Sequence, residues 1–254
     1  IFAFQFAPAQ RTKIGYAAYF LEKGMPHLTG LLSDNQRFLT DAAREYLFSA
    51  TETARMAVLY QPCRLLLDDS REFPVGALQR RQSQPIPVDG SQPVRRPQVL
   101  WAGRLDAEKR VDLFLELVRR CPFADFRVFG QVVLNDQAVL PEMPNLSYEG
   151  PFTSPFEWLE RYEFDAFVFT SRWEGMPNIL LEVGALGISV IAPTVGGVIE
   201  LIDETTGYPL PEQPSVADYE NALLKIISNP RQAHLRASTL RKLIDQRHGW
   251  SAFV

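Results

Sequence analysis

Ala166-Phe167-Val168-Phe169-Thr170, followed after Ser171-Arg172-Trp173 by Glu174-Gly175-Met176-Pro177-Asn178-Ile179-Leu180-Leu181-Glu182, is the stretch of sequence that decides the fold. The first run is nearly continuous in apolar side chains, so a strand formed there must be covered on both faces. The second run opens a helix near Asn178. A strand buried on both sides and followed at once by a helix is the repeating unit of a parallel sheet packed between helices. The expected class is therefore α/β, with a Rossmann-like parallel sheet.

Outward from that stretch the same alternation continues. Residues 98–102, 126–129 and 189–192 read as further strands. A helix is expected over 108–119, where Val111, Phe114, Leu115 and Val118 share one face, and others over 156–162 and 178–186. Two polar helices, about 216–228 and 231–247, close the chain. Upstream, residues 82–97 contain four prolines and one glycine among few large apolar groups, the composition of an exposed linker. The chain thus divides into a first lobe over 1–81, a linker over 82–97 and a Rossmann-like domain over 98–254. In the first lobe Phe2, Phe4 and Phe6 alternate as in a strand, and 35–47 reads as a helix. So few elements make a marginal domain alone; they are expected to be the tail of a second, incomplete Rossmann-like lobe.

A chain of 254 residues with 46% hydrophobic side chains can bury one large core and a smaller one. Its 26 basic and 30 acidic residues leave a charge of −4, which provides no global field for nucleic acid or an anionic membrane. Any phosphate must be met by a local cluster. Cys63 and Cys121, the two cysteines, are too few for a disulfide scaffold and lack a histidine at metal-ligand spacing, so a reducing cytoplasm is expected. Residues 1–9 are apolar but short, have no basic leader and contain Pro8, and so read as neither signal peptide nor membrane span. Peripheral association with the inner face of a membrane stays compatible with this.

Ligands of α/β sheets collect in crevices beyond the carboxyl ends of the strands. A helix opening near Asn178 would aim its backbone N–H groups and positive dipole end there, where a diphosphate is stabilised. Glu174 precedes that helix and Glu182 lies one to two turns inside it, so the two carboxylates can reach opposite ends of one ligand. Carboxylates accept from paired hydroxyls, which suits a hexose at one end and a ribose at the other; two acids taken alone would more often cap or solvate a helix. Gly103-Arg104-Leu105 and Lys109 add two cations beside a strand end. They suit a diphosphate and the charge that grows as it departs. The plain alternative for them is a surface ion pair with Asp106 or Glu108, worth about 0–1 kcal/mol. Gly196-Gly197, in Val195-Gly196-Gly197-Val198-Ile199-Glu200, would let backbone approach a ligand closely, although a lone glycine pair marks an ordinary loop. Glu200 alone reads as a solvated helix residue.

Together these motifs resemble the family-4 glycosyltransferases, retaining enzymes of the GT-B architecture in which two Rossmann-like domains face each other and the C-terminal one binds the nucleotide-sugar donor. The pieces occur in the family's order: Ala102-Gly103-Arg104-Leu105 with Lys109, Tyr148-Glu149-Gly150, Phe167-Val168-Phe169-Thr170-Ser171, and the Glu174 to Glu182 segment. Gly187-Ile188-Ser189-Val190-Ile191-Ala192, Gly196-Gly197 with Glu200, and Thr206-Gly207 complete the set. Ser33-Asp34-Asn35 and Val58-Leu59-Tyr60-Gln61-Pro62 resemble the last stretches of the family's N-terminal domain, in a shorter and less specific match.

The resemblance implies that Arg104 and Lys109 bind the donor diphosphate, Glu174 the hydroxyls of the transferred sugar and Glu182 the ribose. Catalysis would then rest on Glu174, Arg104 and Lys109. Gly103 and the backbone of Gly175, Met176, Pro177, Asn178, Ile179, Gly196 and Gly197 would complete the donor cradle. It implies a glycan or lipid-linked acceptor, a role in cell-surface glycan synthesis, and no metal or other cofactor, since the cations and the helix N-terminus supply positive charge. Asp68-Asp69 reads as a loop pair without a third ligand. The family's N-terminal glycine-rich loop and sugar-lining histidine have no counterpart. His27 reads as a surface or packing residue, and the remainder of the N-terminal domain and the helix beyond His248-Gly249-Trp250 are expected to be missing. A sugar-nucleotide epimerase of the same architecture and a non-catalytic nucleotide-sugar-binding module are the alternative readings.

Overall fold

Short apolar strands separated by amphipathic helices dictate a layered structure, and the computed structural model, which describes residues 3–4, 23–66, 95–131 and 140–252, has one. In the larger lobe six strands form a parallel sheet: β4 (Gln98–Ala102), β5 (Asp125–Phe129), β6 (Leu146–Gly150), β7 (Ala166–Val168), β8 (Val190–Pro193) and β9 (Tyr208–Leu210). Their spatial order is β6-β5-β4-β7-β8-β9. The chain therefore builds outward from β4 in one direction, returns, and builds outward from β7 in the other. β4 and β7 are neighbours, with Val99 opposite Ala166 and Leu100 opposite Phe167. Between them lies the switch point at which doubly wound sheets bind ligands.

Alternation along the strands explains the two cores. Leu100, Ala102 and Phe167 face one side, with Leu180, Leu181 and Val183 of helix α5 (Asn178–Ala185) and Leu240 and Ile244 of helix α7 (Pro230–His248). Val99, Trp101, Ala166 and Val168 face the other, against Phe114 and Leu117 of helix α3 (Val111–Arg120) and Tyr219 and Leu223 of helix α6 (Val216–Ser228). Burial on both faces is what the sequence at 166–170 predicts. Helix α4 (Phe156–Arg161) connects β6 to β7.

The smaller lobe carries its own parallel sheet, β1 (Ala3–Phe4), β2 (Leu31–Ser33) and β3 (Met56–Val58), in that order. Helix α1 (Gln36–Glu45) is stopped at its start by the Asn35 side chain, which accepts from Phe38 N at 2.7 Å. A single turn, α2 (Ala50–Thr53), follows. Among the described residues Met25, Leu31, Phe38, Leu39 and Ala42 are buried together here. Phe4 lies in β1, whereas Phe2, Phe6, residues 82–94 of the expected linker and Asp68-Asp69 lie outside the described residues.

Two expectations are corrected. The helix expected from residue 108 begins at Val111, because Ala107–Lys109 is a 3-10 turn whose Lys109 N–H is capped by Asp106, and Arg110 turns left-handed at φ 52. Two strands, β6 and β9, join the sheet beyond those expected. Their burial is mixed, so no apolar run marks β6, and β9 is three residues long. Among the described residues no helix is long and apolar enough to cross a membrane.

Candidate functional site

The loops that leave β4, β7 and β8 meet beyond their carboxyl ends. After β4, Gly103 N–H donates to the Phe129 carbonyl at 3.0 Å and Leu105 N–H to Gln131 at 3.1 Å, which ties this loop to the end of β5. The Asp106 cap and left-handed Arg110 then fold the chain so that Lys109 faces the β7 loop. There its ammonium forms an ion pair with Glu174 Oε1, and the two side chains are only 17% and 20% exposed. The ammonium also stands 5.9 Å from the centre of the Phe169 ring. The Arg172 N–H donates to the Glu108 carbonyl at 3.0 Å and strengthens the same junction.

The β8 loop closes on this pair from the other side. Gly196 has φ +50, and a Cβ there would fall 1.7 Å from the Glu174 carbonyl oxygen. Gly197 donates its N–H to the Gly175 carbonyl at 2.9 Å. The glycine pair thus permits backbone to approach backbone, locking Glu174-Gly175 in place, and the Gly197 amide is engaged within the protein. Helix α5 opens behind Pro177 without a side-chain cap; the Pro177 carbonyl accepts from Leu180 N–H at 3.0 Å. Asn178 is exposed and Ile179 half-buried at that opening. Glu182, half-buried on α5, lies near Cys63, whose thiol burial pushes up to about 11 with a smaller contribution from the Glu182 charge.

Lys109 and Glu174 are therefore together at the switch point. Arg104 is placed differently: its side chain is 53% exposed and pairs with Asp106 at 3.3 Å and Glu108 at 3.7 Å. These are the surface pairs that the sequence offers as the plain alternative.

The smaller lobe supplies two groups from the Ser33-Asp34-Asn35 and Val58–Pro62 stretches, whose contacts the sequence does not give. Asp34 Oδ2 accepts from Met176 N–H at 3.1 Å, and Gln61 Nε2 donates to the Met176 carbonyl at 2.6 Å. Both polar groups of one peptide residue in the α5 loop are thus held from across the cleft. Glu200 is half-buried and engaged across the lobes, where the sequence reading has a solvated helix residue. Its Oε1 accepts from Gln36 N–H at 2.7 Å and Arg37 N–H at 3.1 Å, and its Oε2 from Tyr60 OH at 2.8 Å. His27 is exposed in a 3-10 turn, Met25–His27, as expected for a surface residue.

The sequence profile of the family described as Glycosyl transferases group 1 matches residues 96–229, more than half of the chain. No curated protein matches the sequence significantly. Among solved structures, HepE of Anabaena in complex with UDP superimposes with a TM-score of 0.67 at 16% identity, over 87% of this chain and 60% of its own. A variant of TarM from S. aureus, in complex with Fondaparinux, alpha-GlcNAc-glycerol and UDP, gives 0.69 at 16% identity, over 97% of this chain and 47% of its own. Sucrose-phosphate synthase from Thermosynechococcus elongatus gives 0.69 at 18% identity, over 95% and 60%. Likeness at such identities speaks to the fold, which is that of the GT-B glycosyltransferases. This chain spans between 47% and 60% of the length of these three structures.

Proposed function

Because the chain belongs to the group 1 glycosyl transferases, we propose that the crevice between β4 and β7 is the donor site of a retaining, family-4-type enzyme. It moves a hexosyl group from a nucleotide diphosphate sugar to an acceptor hydroxyl on a glycan or lipid-linked glycan, in cell-surface glycan synthesis at the inner face of the membrane. The observation that carries the reading is the Lys109–Glu174 pair at the switch point, flanked by the uncapped start of α5.

In this reading the anomeric carbon–oxygen bond to the diphosphate breaks, the acceptor oxygen arrives on the same face, and the acceptor proton passes to the departing phosphate oxygen. Lys109 and the α5 N-terminus stabilise charge on the leaving group, and no divalent metal is required. Glu174 turns from Lys109 to the sugar hydroxyls once phosphate takes the ammonium. Arg104 joins by exchanging its exposed partners for phosphate, at a cost of about 0–1 kcal/mol. Glu182 holds the ribose, while Gly103, Gly175, Pro177, Asn178, Ile179 and Gly196 line the cradle; Met176 and Gly197 shape it, their amides already engaged. The catalytic effect is positional and electrostatic, without a protein nucleophile.

Ligand that binds only the native state raises its melting temperature, so UDP- or GDP-linked sugars are expected to stabilise this chain. Glu182→Ala should weaken nucleoside diphosphate and nucleotide sugar alike, by about tenfold, the equivalent of one hydrogen bond to a charged group. Glu174→Ala should weaken chiefly the sugar-bearing form. Equal losses of both ligands in both variants would remove the assigned roles. In a form that turns over, release of nucleoside diphosphate only when acceptor is present distinguishes transfer from epimerisation.

A further inference from the structure

We propose that Thr170 is a positioning residue for Lys109, fixing where its ammonium meets the donor diphosphate; this rests on the donor-site reading given above. Thr170 follows β7 at the point where the strand order reverses, and it is 3% exposed. Its hydroxyl accepts from the indole N–H of Trp101 at 3.0 Å and donates to the Lys109 carbonyl. The directions are fixed by chemistry, because an indole nitrogen only donates and a carbonyl only accepts.

Trp101 is an anchored starting point for this relay. It belongs to β4, is 2% exposed, and packs against Phe114 with ring centres 5.5 Å apart. The Lys109 peptide is thereby referenced to the two central strands of the sheet rather than to its own loop. The next residue makes such a reference necessary. Arg110 is left-handed at φ 52, ψ 50, a conformation that costs a non-glycine residue about 1 kcal/mol or more and survives only where the surroundings impose it. The Thr170 bond reaches the carbonyl immediately before that residue, and the Arg172 bond to Glu108 reaches the one before that. With the peptide fixed, the lysine stem leaves toward Phe169 and Glu174.

Valine reproduces the shape of threonine but leaves the Trp101 N–H and the Lys109 carbonyl without this partner. Serine keeps the hydroxyl. The test is calorimetric binding of UDP, UMP, GDP and GMP to the full chain and to T170V, T170S, K109M and the T170V/K109M double variant. Thr170→Val should weaken the bound diphosphate by about tenfold, or about 1.4 kcal/mol, while changing its monophosphate less than about twofold. Thr170→Ser should restore most of that affinity, and T170V should cost nothing further in the K109M background. Equal loss of mono- and diphosphate, or a T170V loss that persists without Lys109, overturns the positioning role. Unchanged diphosphate affinity in K109M instead overturns the donor-site reading itself, and the role of Thr170 with it. Should T170V fail to fold, Trp101→Phe removes the indole donor together with part of its buried ring; a smaller loss confined to the diphosphate supports the relay, and a loss shared with the monophosphate refutes it.

Discussion

His248 is fully buried where the two lobes meet, with its Nδ1 bonded to the Gln61 carbonyl at 2.7 Å and its ring edge-on to Tyr60. Since the carbonyl accepts, Nδ1 carries the proton, and Nε2 is buried without a hydrogen-bond partner among the described residues. Charging the ring would place a second N–H where none of the described residues accepts it. Burial, aided by the Arg247 charge, accordingly holds the imidazole below its usual range, against the opposing pull of the Gln61 carbonyl and Glu200. The unfolded chain then takes up the proton first as pH falls through about 6.5, so the stability contributed by neutral His248 is present above that value and lost below it. Melting temperature should drop between about pH 7.5 and pH 5.5, and His248→Asn, which keeps a donor for Gln61 but does not titrate, should flatten the slope. An unaltered slope would remove His248 as its source. Nothing near His248 in the sequence announces this, because its partner Gln61 lies 187 positions away. The same holds for Thr170, Asp34 and Glu200: each is visible as a residue, while its contact exists only after two distant loops have been brought together. Lys109 and Glu174 were legible because the family resemblance marks their positions, and their pairing is what the fold adds.

At the scale of elements, the strands easiest to read are β4, β7 and β8, whose apolar runs are buried on both faces of the sheet. β6 and β9 carry mixed burial patterns, so periodicity gave no signal for them. Helix ends were displaced wherever side-chain capping or a left-handed residue intervened, as at Asp106 and Arg110. Helix–helix packing was not readable at all, and Gly184 shows why. It lies inside α5, where glycine is a weak helix former, yet a Cβ there would meet Ile244 Cδ1 at 2.4 Å and Leu240 Cγ at 2.9 Å on α7. The glycine is a close-contact point between two helices that cover one face of the sheet. Gly184→Ala should gain up to about 1 kcal/mol in helix propensity and lose about 1–3 kcal/mol to overpacking. Denaturant titration is expected to show net destabilisation, and to show it relieved when Ile244→Val removes the nearest methyl. A stabilised G184A would mean that α7 moves away freely.

At the scale of the whole molecule, Glu200 joins the small lobe to the large one. It belongs to the large lobe, but its carboxylate accepts from the first two amides of α1 and from Tyr60 OH, while Arg247 donates to its own carbonyl at 3.2 Å. A carboxylate at a helix N-terminus satisfies donors that the helix itself cannot, and it interacts favourably with the helix dipole. Hydrogen bonds to a charged group contribute about 1.5–3 kcal/mol each before the cost of burial is counted. Glu200→Ala should therefore destabilise the lobe contact by about 2 kcal/mol, and unevenly. Amide hydrogen exchange should quicken in α1 and at Tyr60, while β4, β5 and β7 keep their protection. The same variant should weaken nucleotide-sugar binding, since the Asp34 and Gln61 bonds to Met176 depend on the same approach of the lobes. Uniformly faster exchange throughout the large sheet would place Glu200 in the general stability of the fold, and unchanged exchange in α1 would show that the small lobe holds its first helix without help.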